Sequence, residues 1–165
     1  MNEIQQLLAT LPKRKMPQAR YNKPESVKQF EREYDNWYFK EKDLPYTWAH
    51  KFRDDTANEL TKLICAWCKV NGHFAARVNT TGIYDVKRGC YRTSGARKGM
   101  ADITAVINSK HISIEVKTGH DRPRPNQLKV KQEVEAAGGV YLFAHSFDDF
   151  LNQIKNIQSW KRPES

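Results

Sequence analysis

The sequence feature that most constrains the fold is a pair of short apolar patterns, at residues 101–107 and 111–117, separated only by Asn108-Ser109-Lys110. Both patterns are typical of β-strands. Strands joined by so short a connection pair as an antiparallel hairpin. In such a hairpin the first strand begins beside the end of the second, so we expect Asp102 to lie next to Glu115.

The segments around this hairpin predict the rest of a mixed α/β domain. The order along the chain is α-β-β-β-α-β-α, after an N-terminal helical extension. The segments are a helix capped by Asp54, Asp55 or Thr56 and ending at Asn71-Gly72, a strand at 73–79, the hairpin, a helix from Pro125 to Gly138-Gly139, a buried strand at 140–144 and a helix from Ser146.

The N-terminal third divides into a basic flexible arm at 1–24 and a helical extension at 25–53, which precede the main domain at 54–165. Prolines punctuate the arm, which is either a solvated tail or a segment that follows phosphates. In the extension, Phe30, Tyr34, Trp37 and Tyr38 share one helical face. That face is expected to pack in a core or between two subunits, and stacking on unpaired bases is the alternative.

Composition limits the class of protein. The chain has 165 residues, which suits a single domain, and its net charge of +9 favours a polyanionic partner. It has no apolar run approaching the roughly 20 residues that span a bilayer, so we expect no membrane partner. Three cysteines are too few for a disulfide framework, and we therefore expect an intracellular, cytoplasmic protein.

Glu115 and Lys117 carry the chemistry that the pattern predicts. The two-residue period places both on one face of their strand, with Ile112, Ile114 and Val116 on the other. Two carboxylates at Asp102 and Glu115 repel each other unless they hold a hard cation such as Mg²⁺. With a nearby lysine, such a site has the groups needed to hydrolyse a phosphodiester. A simple ion pair between Glu115 and Lys117 is the alternative.

These residues form part of a longer pattern that resembles the virus-type replication-repair nuclease domain of the PD-(D/E)xK superfamily. The resemblance covers roughly residues 54 to 158, and Ala101 stands where the family usually has proline. The matching residues are Gly99-x-Ala101-Asp102, Glu115-x-Lys117, Asp121-Arg122, Gln127 and Gly138-Gly139.

The resemblance implies a restriction-endonuclease-like αβββαβ core with a mixed sheet, and a role for each matching residue. It implies that Asp102, Glu115 and the Val116 carbonyl bind Mg²⁺ or Mn²⁺, that Lys117 is catalytic and that Gln127 reaches back toward the site. Glu59, on the first helix, is either a further site residue or a solvent-facing one. The function implied is metal-dependent DNA cleavage, specific for branched DNA such as four-way junctions, by an intracellular homodimer of bacterial or phage-like context.

Basic residues on both sides of these acids are candidates for contacting DNA phosphates. A non-catalytic DNA-binding module with the same fold is the alternative function, and RNA binding also stays open. The candidate DNA contacts are Arg88, Arg92, Arg97 and Lys98 before the first acid, and Arg122, Arg124 and Lys129 after Lys117.

Overall fold

The computed structural model of the chain describes residues 21–78, 83–92 and 96–159. Four helices lie in these residues: α1 (Glu25–Lys42), α2 (Ala57–Val70), α3 (Pro125–Ala136) and α4 (Phe147–Ser159). The strands are β1 (Phe74–Arg77), β2 (Ile83–Asp85), β3 (Cys90–Arg92), β4 (Ile103–Ile107), β5 (Lys110–Val116) and β6 (Val140–Ala144).

A four-stranded mixed sheet in the order β1-β4-β5-β6 forms the centre of the fold. The pairs β1–β4 and β4–β5 are antiparallel, whereas β5 and β6 are parallel. Parallel neighbours need a crossover, and α3 supplies it. The predicted mixed α/β class is therefore confirmed.

The predicted hairpin of β4 and β5 is present, and its loop is Asn108-Ser109. These residues have φ angles of 49° and 63°, although neither is a glycine. A two-residue type I′ turn requires positive φ at both central positions, and its twist matches that of the paired strands. The strands pair with Ile103 opposite Ile114.

The two faces of the sheet pack against different helices. Isoleucines of β4 and β5 pack with α1, α2 and α4 in the main core, to which Leu63, Phe150 and Ile154 contribute. On the opposite face a smaller cluster joins Val130 of α3 to Ala101 and Tyr141. Because this second face is the one that carries Glu115, α3 lies on the same side as the predicted site.

The structure differs from the predicted strands in two places. The strand expected at 73–79 is shorter in the structure, where β1 covers only Phe74–Arg77. Phe74 is exposed because the opposite face of the strand, which carries Ala75, packs against the core. The strands β2 and β3 form a separate two-stranded hairpin, which the sequence pattern did not predict. Its residues lack the apolar alternation that would have predicted it.

The last four residues of the predicted flexible arm, 21–24, include two that contact the rest of the chain. Tyr21 donates a hydrogen bond to Asp54 at 2.8 Å, and Lys23 pairs with the buried carboxylate of Glu31. Asp54 also accepts a hydrogen bond from the backbone N–H of Phe147, at the start of α4. Residues 21–24 are therefore anchored, and the first 20 residues of the arm lie outside the described part of the chain.

Buried acids on α1 hold the irregular segment that follows this helix. Glu31 accepts a hydrogen bond from the N–H of Phe52, at 2.7 Å. Asp35 accepts one from the N–H of His50 at 3.0 Å and one from the Tyr46 hydroxyl at 3.1 Å.

The aromatic face of α1 packs within the chain, where Phe30 and Phe52 are in ring contact.

We expect Asp35→Asn to lower stability near neutral pH by about 1–3 kcal/mol, because its hydrogen bonds would lose a charged acceptor. Burial raises the pKa of Asp35, but hydrogen bonds from His50 and Tyr46 outweigh it and hold the pKa below its ordinary 3.8. The stabilisation is therefore present above that value and is lost as pH falls through the folded-state pKa. Urea denaturation should show the two proteins converging in acid, and Asp43→Asn, at an exposed position, should match wild type throughout.

Asp54→Ala should cost about 1–3 kcal/mol of stability, since it leaves the buried N–H of Phe147 without its acceptor. Asp55→Ala is the matched control. It removes only an ion pair with the exposed side chain of Arg53, and should cost at most about 1 kcal/mol. Equal shifts in the urea midpoint would show that Asp54 does not join the N-terminal segment to α4.

Candidate active site

The structure brings together Asp102, Glu115, Lys117 and Gln127, four of the side chains predicted to form the site. Asp102 directly precedes β4, and the register of the hairpin places it beside Glu115. Lys117 directly follows β5, where its backbone N–H donates to the carbonyl of Ala144 in the parallel neighbour β6. Gln127 lies in the first turn of α3.

Glu115 is the most constrained of these side chains, with only 4% of its surface exposed. Its Oε1 accepts a hydrogen bond from Gln127 Nε2 at 2.5 Å and lies 3.1 Å from Lys117 Nζ. Its Oε2 is buried and has no partner within hydrogen-bond distance among the described residues, and burial together with the nearby Glu115 carboxylate raises the pKa of the Tyr141 hydroxyl. Burial, reinforced by the negative charge of Asp102, raises the pKa of Glu115 despite the neighbouring ammonium.

Lys117 is a buried lysine, with 2% of its surface exposed. Its Nζ lies 3.1 Å from Glu115 Oε1 and also 3.1 Å from Asp121 Oδ2. The hydrogen bond from Lys117 lowers the pKa of Asp121, which is itself half-exposed. The ammonium is thus held between two carboxylates, one inside the site and one at its surface.

Asp102 is fixed to the adjacent strand by its own carboxylate. Its Oδ2 accepts a hydrogen bond from the backbone N–H of Val116 at 3.0 Å, which puts the Val116 backbone against the acid pair. Among the described residues, no cluster of three or more His, Cys, Asp or Glu side chains is arranged to hold a metal ion. Asp102 and Glu115 are the two carboxylates that line one cleft.

The two acids open onto a cleft of about 360 Å³ between α3 and the loop that precedes β4. Lys98 and Arg124, both predicted DNA contacts, line this cleft together with Gln127. The mouth is therefore basic, while its floor carries two carboxylates. This distribution suits a ligand that presents a phosphate above a bound cation.

The loop that forms one wall of the cleft is fastened to α3. Arg97 makes a bidentate ion pair with Glu133, with contacts of 2.5 and 2.7 Å. Gly99 has a φ of +88°, and a Cβ added there would lie 2.4 Å from the carbonyl oxygen of Asn126. The cleft wall is thus set by a backbone contact that only glycine permits.

The remaining predicted residues have different surroundings. Glu59, whose side chain is partly buried, pairs with Lys62 at 2.7 Å and is not among the residues that line the cleft. Arg97 is a predicted DNA contact whose guanidinium already has a carboxylate partner. Arg88, Arg122 and Lys129 are exposed, and the Arg92 side chain lies outside the described residues.

Sequence reasoning missed the partners of these charged groups. Asp121 belongs to the motif, but nothing in its spacing predicted that it holds Lys117. The partnership of Arg97 with Glu133 joins positions 36 apart along the chain. Helical spacing in α3 does, however, put Glu133 about one turn beyond Lys129, and a shared face could have been proposed from it.

No family model matches the chain, and a search of curated proteins finds no match. None of the helices in the described ranges is long and apolar enough to cross a membrane. The case for a function therefore depends on the geometry of the site and on the motif resemblance.

Gly99→Ala should destabilise the protein more than Gly89→Ala does. Both glycines have positive φ, which costs an alanine about 1–2 kcal/mol. Only Gly99 also meets a backbone atom, and overpacking of this kind adds about 1–3 kcal/mol. Thermal unfolding of the two variants is the measurement, and equal losses would mean that the loop is not held against Asn126.

Proposed function

We propose that the protein is a Mg²⁺- or Mn²⁺-dependent DNA endonuclease. The observation that carries the proposal is the environment of Glu115, a buried carboxylate with one oxygen shared by Lys117 and Gln127 and the other without a partner. Leaving a buried charged oxygen unpaired is costly, and such an atom calls for an explanation. A cation shared with Asp102 would supply the missing partner.

The donor set fits a hard divalent cation. Carboxylate oxygens are the ligands that Mg²⁺ prefers, and Mg²⁺ keeps several waters, so two acids with one backbone carbonyl are a sufficient protein contribution. Asp102, Glu115 and the Val116 carbonyl would hold it. When bound, the cation would lower the pKa of a coordinated water and neutralise charge on a phosphate.

Lys117 would provide a fixed positive charge beside the reacting phosphate. Because its ammonium is buried and held by Glu115 and Asp121, it needs no reorganisation to present that charge. Gln127 would keep the Glu115 carboxylate in one orientation by donating to its Oε1. These roles are those that the motif resemblance implies for the same residues.

The order of elements also supports the proposal. The helix α2, the antiparallel strands β1, β4 and β5, the helix α3 and the parallel strand β6 follow one another as an αβββαβ core does. The hairpin of β2 and β3 is an insertion in that order. We accordingly propose a restriction-endonuclease-like core, with α1 as the N-terminal extension.

Branched DNA, such as a four-way junction, is the proposed substrate, and a homodimer the proposed active form. The resemblance implies both. A two-fold dimer would present two equivalent sites to two related strands. Lys98 and Arg124 at the mouth of the cleft, together with the exposed Arg88, Arg122 and Lys129, would supply phosphate contacts.

Asp102→Asn, Glu115→Gln and Lys117→Ala should each reduce cleavage at least about 100-fold, the loss seen when one group that stabilises a transition state is removed. The assay compares labelled duplex, flap, single-stranded and four-way-junction DNA with Mg²⁺. Affinity for DNA should change little, since many basic residues contribute to it. Glu59→Gln is the matched carboxylate control and should cleave as wild type does.

Binding without cleavage of any of these DNAs would contradict the proposal and favour the non-catalytic module. Full activity in one of the three variants would remove that residue from the catalytic set. Loss of activity in Glu59→Gln would return Glu59 to the site.

Mg²⁺ should raise the melting temperature of wild type more than that of Asp102→Asn, because a ligand that binds only the folded state stabilises it by an amount that grows with the logarithm of its concentration over its Kd. The asparagine can still accept the hydrogen bond from Val116, so the fold should persist. Differential scanning fluorimetry with Mg²⁺, Mn²⁺ and EDTA makes the comparison. Equal shifts in both proteins would place the cation elsewhere.

A further inference from the structure

A second surface, formed by Leu44, Tyr46 and Trp48 after α1, has no role in the site described above. All three side chains are exposed: Leu44 by 44%, Tyr46 by 62% and Trp48 by 49%. Three large apolar side chains within five positions form an apolar patch of the kind that marks a binding surface. We refer to these three residues as the aromatic platform.

The two rings of the platform are held in fixed positions. The buried ring of Phe39 contacts both, with its centroid 4.9 Å from that of Tyr46 and 5.1 Å from that of Trp48. Tyr46 is also tied by its hydroxyl to the buried carboxylate of Asp35. Stacking of a ligand on these rings would therefore cost little conformational entropy, because the rings are already ordered.

The net charge of the chain, together with exposed lysines that flank the platform in sequence, favours a nucleic acid as its partner. Lys40, Lys42 and Lys51 are exposed, and within the described ranges none of their ammonium groups has an ion-pair partner. Glu41, Asp43 and the Asp35 carboxylate bound to Tyr46 balance these three lysines locally, so the attraction to a polyanion comes from the net charge of +9 of the chain. Protein interfaces are enriched in aromatic residues but depleted in lysine, whereas surfaces for single strands combine aromatic rings with cations.

We propose that the aromatic platform binds unpaired nucleotides, with Tyr46 and Trp48 stacking on bases and the flanking lysines contacting phosphates. The surface would take the single-stranded part of a DNA branch or flap. The proposal deepens the proposed function and rests on it for the choice of DNA. The binding itself requires neither metal nor cleavage.

The test is the affinity of the full chain for a labelled 20-nucleotide oligo-dT and for a hairpin duplex, measured by fluorescence anisotropy in EDTA so that no cleavage occurs. Trp48→Ala should weaken oligo-dT binding roughly 5- to 150-fold, which corresponds to about 1–3 kcal/mol per stacked base. Tyr46→Ala should do the same, and duplex binding should change far less. Trp48→Phe, which keeps a ring, should restore most of the affinity.

Phe74→Ala is the matched control, since Phe74 is a ring of similar exposure, 60%, on β1. It should leave oligo-dT binding unchanged. Thermal unfolding of each variant, with Trp48→Phe as the less disruptive change, separates lost binding from lost fold.

Wild-type affinity for oligo-dT in both alanine variants would overturn the proposal. So would an equal loss from Phe74→Ala. If Trp48→Ala instead abolished self-association in sedimentation and left oligo-dT binding intact, the surface would be a contact between subunits and the proposal would be wrong.

The proposed function fails separately from this inference. Absence of Mg²⁺-dependent cleavage, combined with a selective loss of oligo-dT binding in Trp48→Ala, would leave a single-strand-binding surface on a non-catalytic protein. Cleavage that depends on Asp102, combined with unchanged oligo-dT binding in Trp48→Ala, would leave the endonuclease without this surface.

Discussion

The antiparallel pairing of β4 with β5 is the interaction on which the rest of the site depends. With Ile103 opposite Ile114, the apolar side chains of both strands enter the main core, and Asp102 and Glu115 meet on the other face. A slip of one residue would exchange the two faces of the slipped strand. Burial of the isoleucines therefore enforces the register, and the repulsion between the acids is tolerated because the core outweighs it.

Buried acids serve two different purposes in this chain. Glu31, Asp35 and Asp54 each accept a hydrogen bond from a backbone N–H of a distant segment, and so hold irregular chain against the core. These hydrogen bonds offset the free energy that is lost when the three carboxylates are removed from water. Glu115 differs because one of its oxygens has no partner among the described residues. That difference distinguishes a carboxylate that maintains structure from one available to bind a ligand.

The order of the main elements and the shared face of Glu115 and Lys117 could be predicted because both follow from periodicity within short segments. The hairpin of β2 and β3 could not, since residues 83–92 have little apolar pattern. The anchoring of Tyr21 by Asp54 and of Arg97 by Glu133 depends on residues far apart in sequence. The position of Glu59 on its helix did not determine whether its side chain faced the site. In the structure this side chain pairs with Lys62, one turn further along the same helix.

The type I′ turn at Asn108-Ser109 also bears on the order in which the protein folds. Closing a loop costs more entropy as the loop lengthens, so a two-residue hairpin is expected to form before the crossover through α3. Asp102 and Glu115 would then meet early. Gln127 and the contact of Lys117 with β6 depend on the later crossover. The two acids would thus be adjacent before the helix that carries Gln127 packs against them.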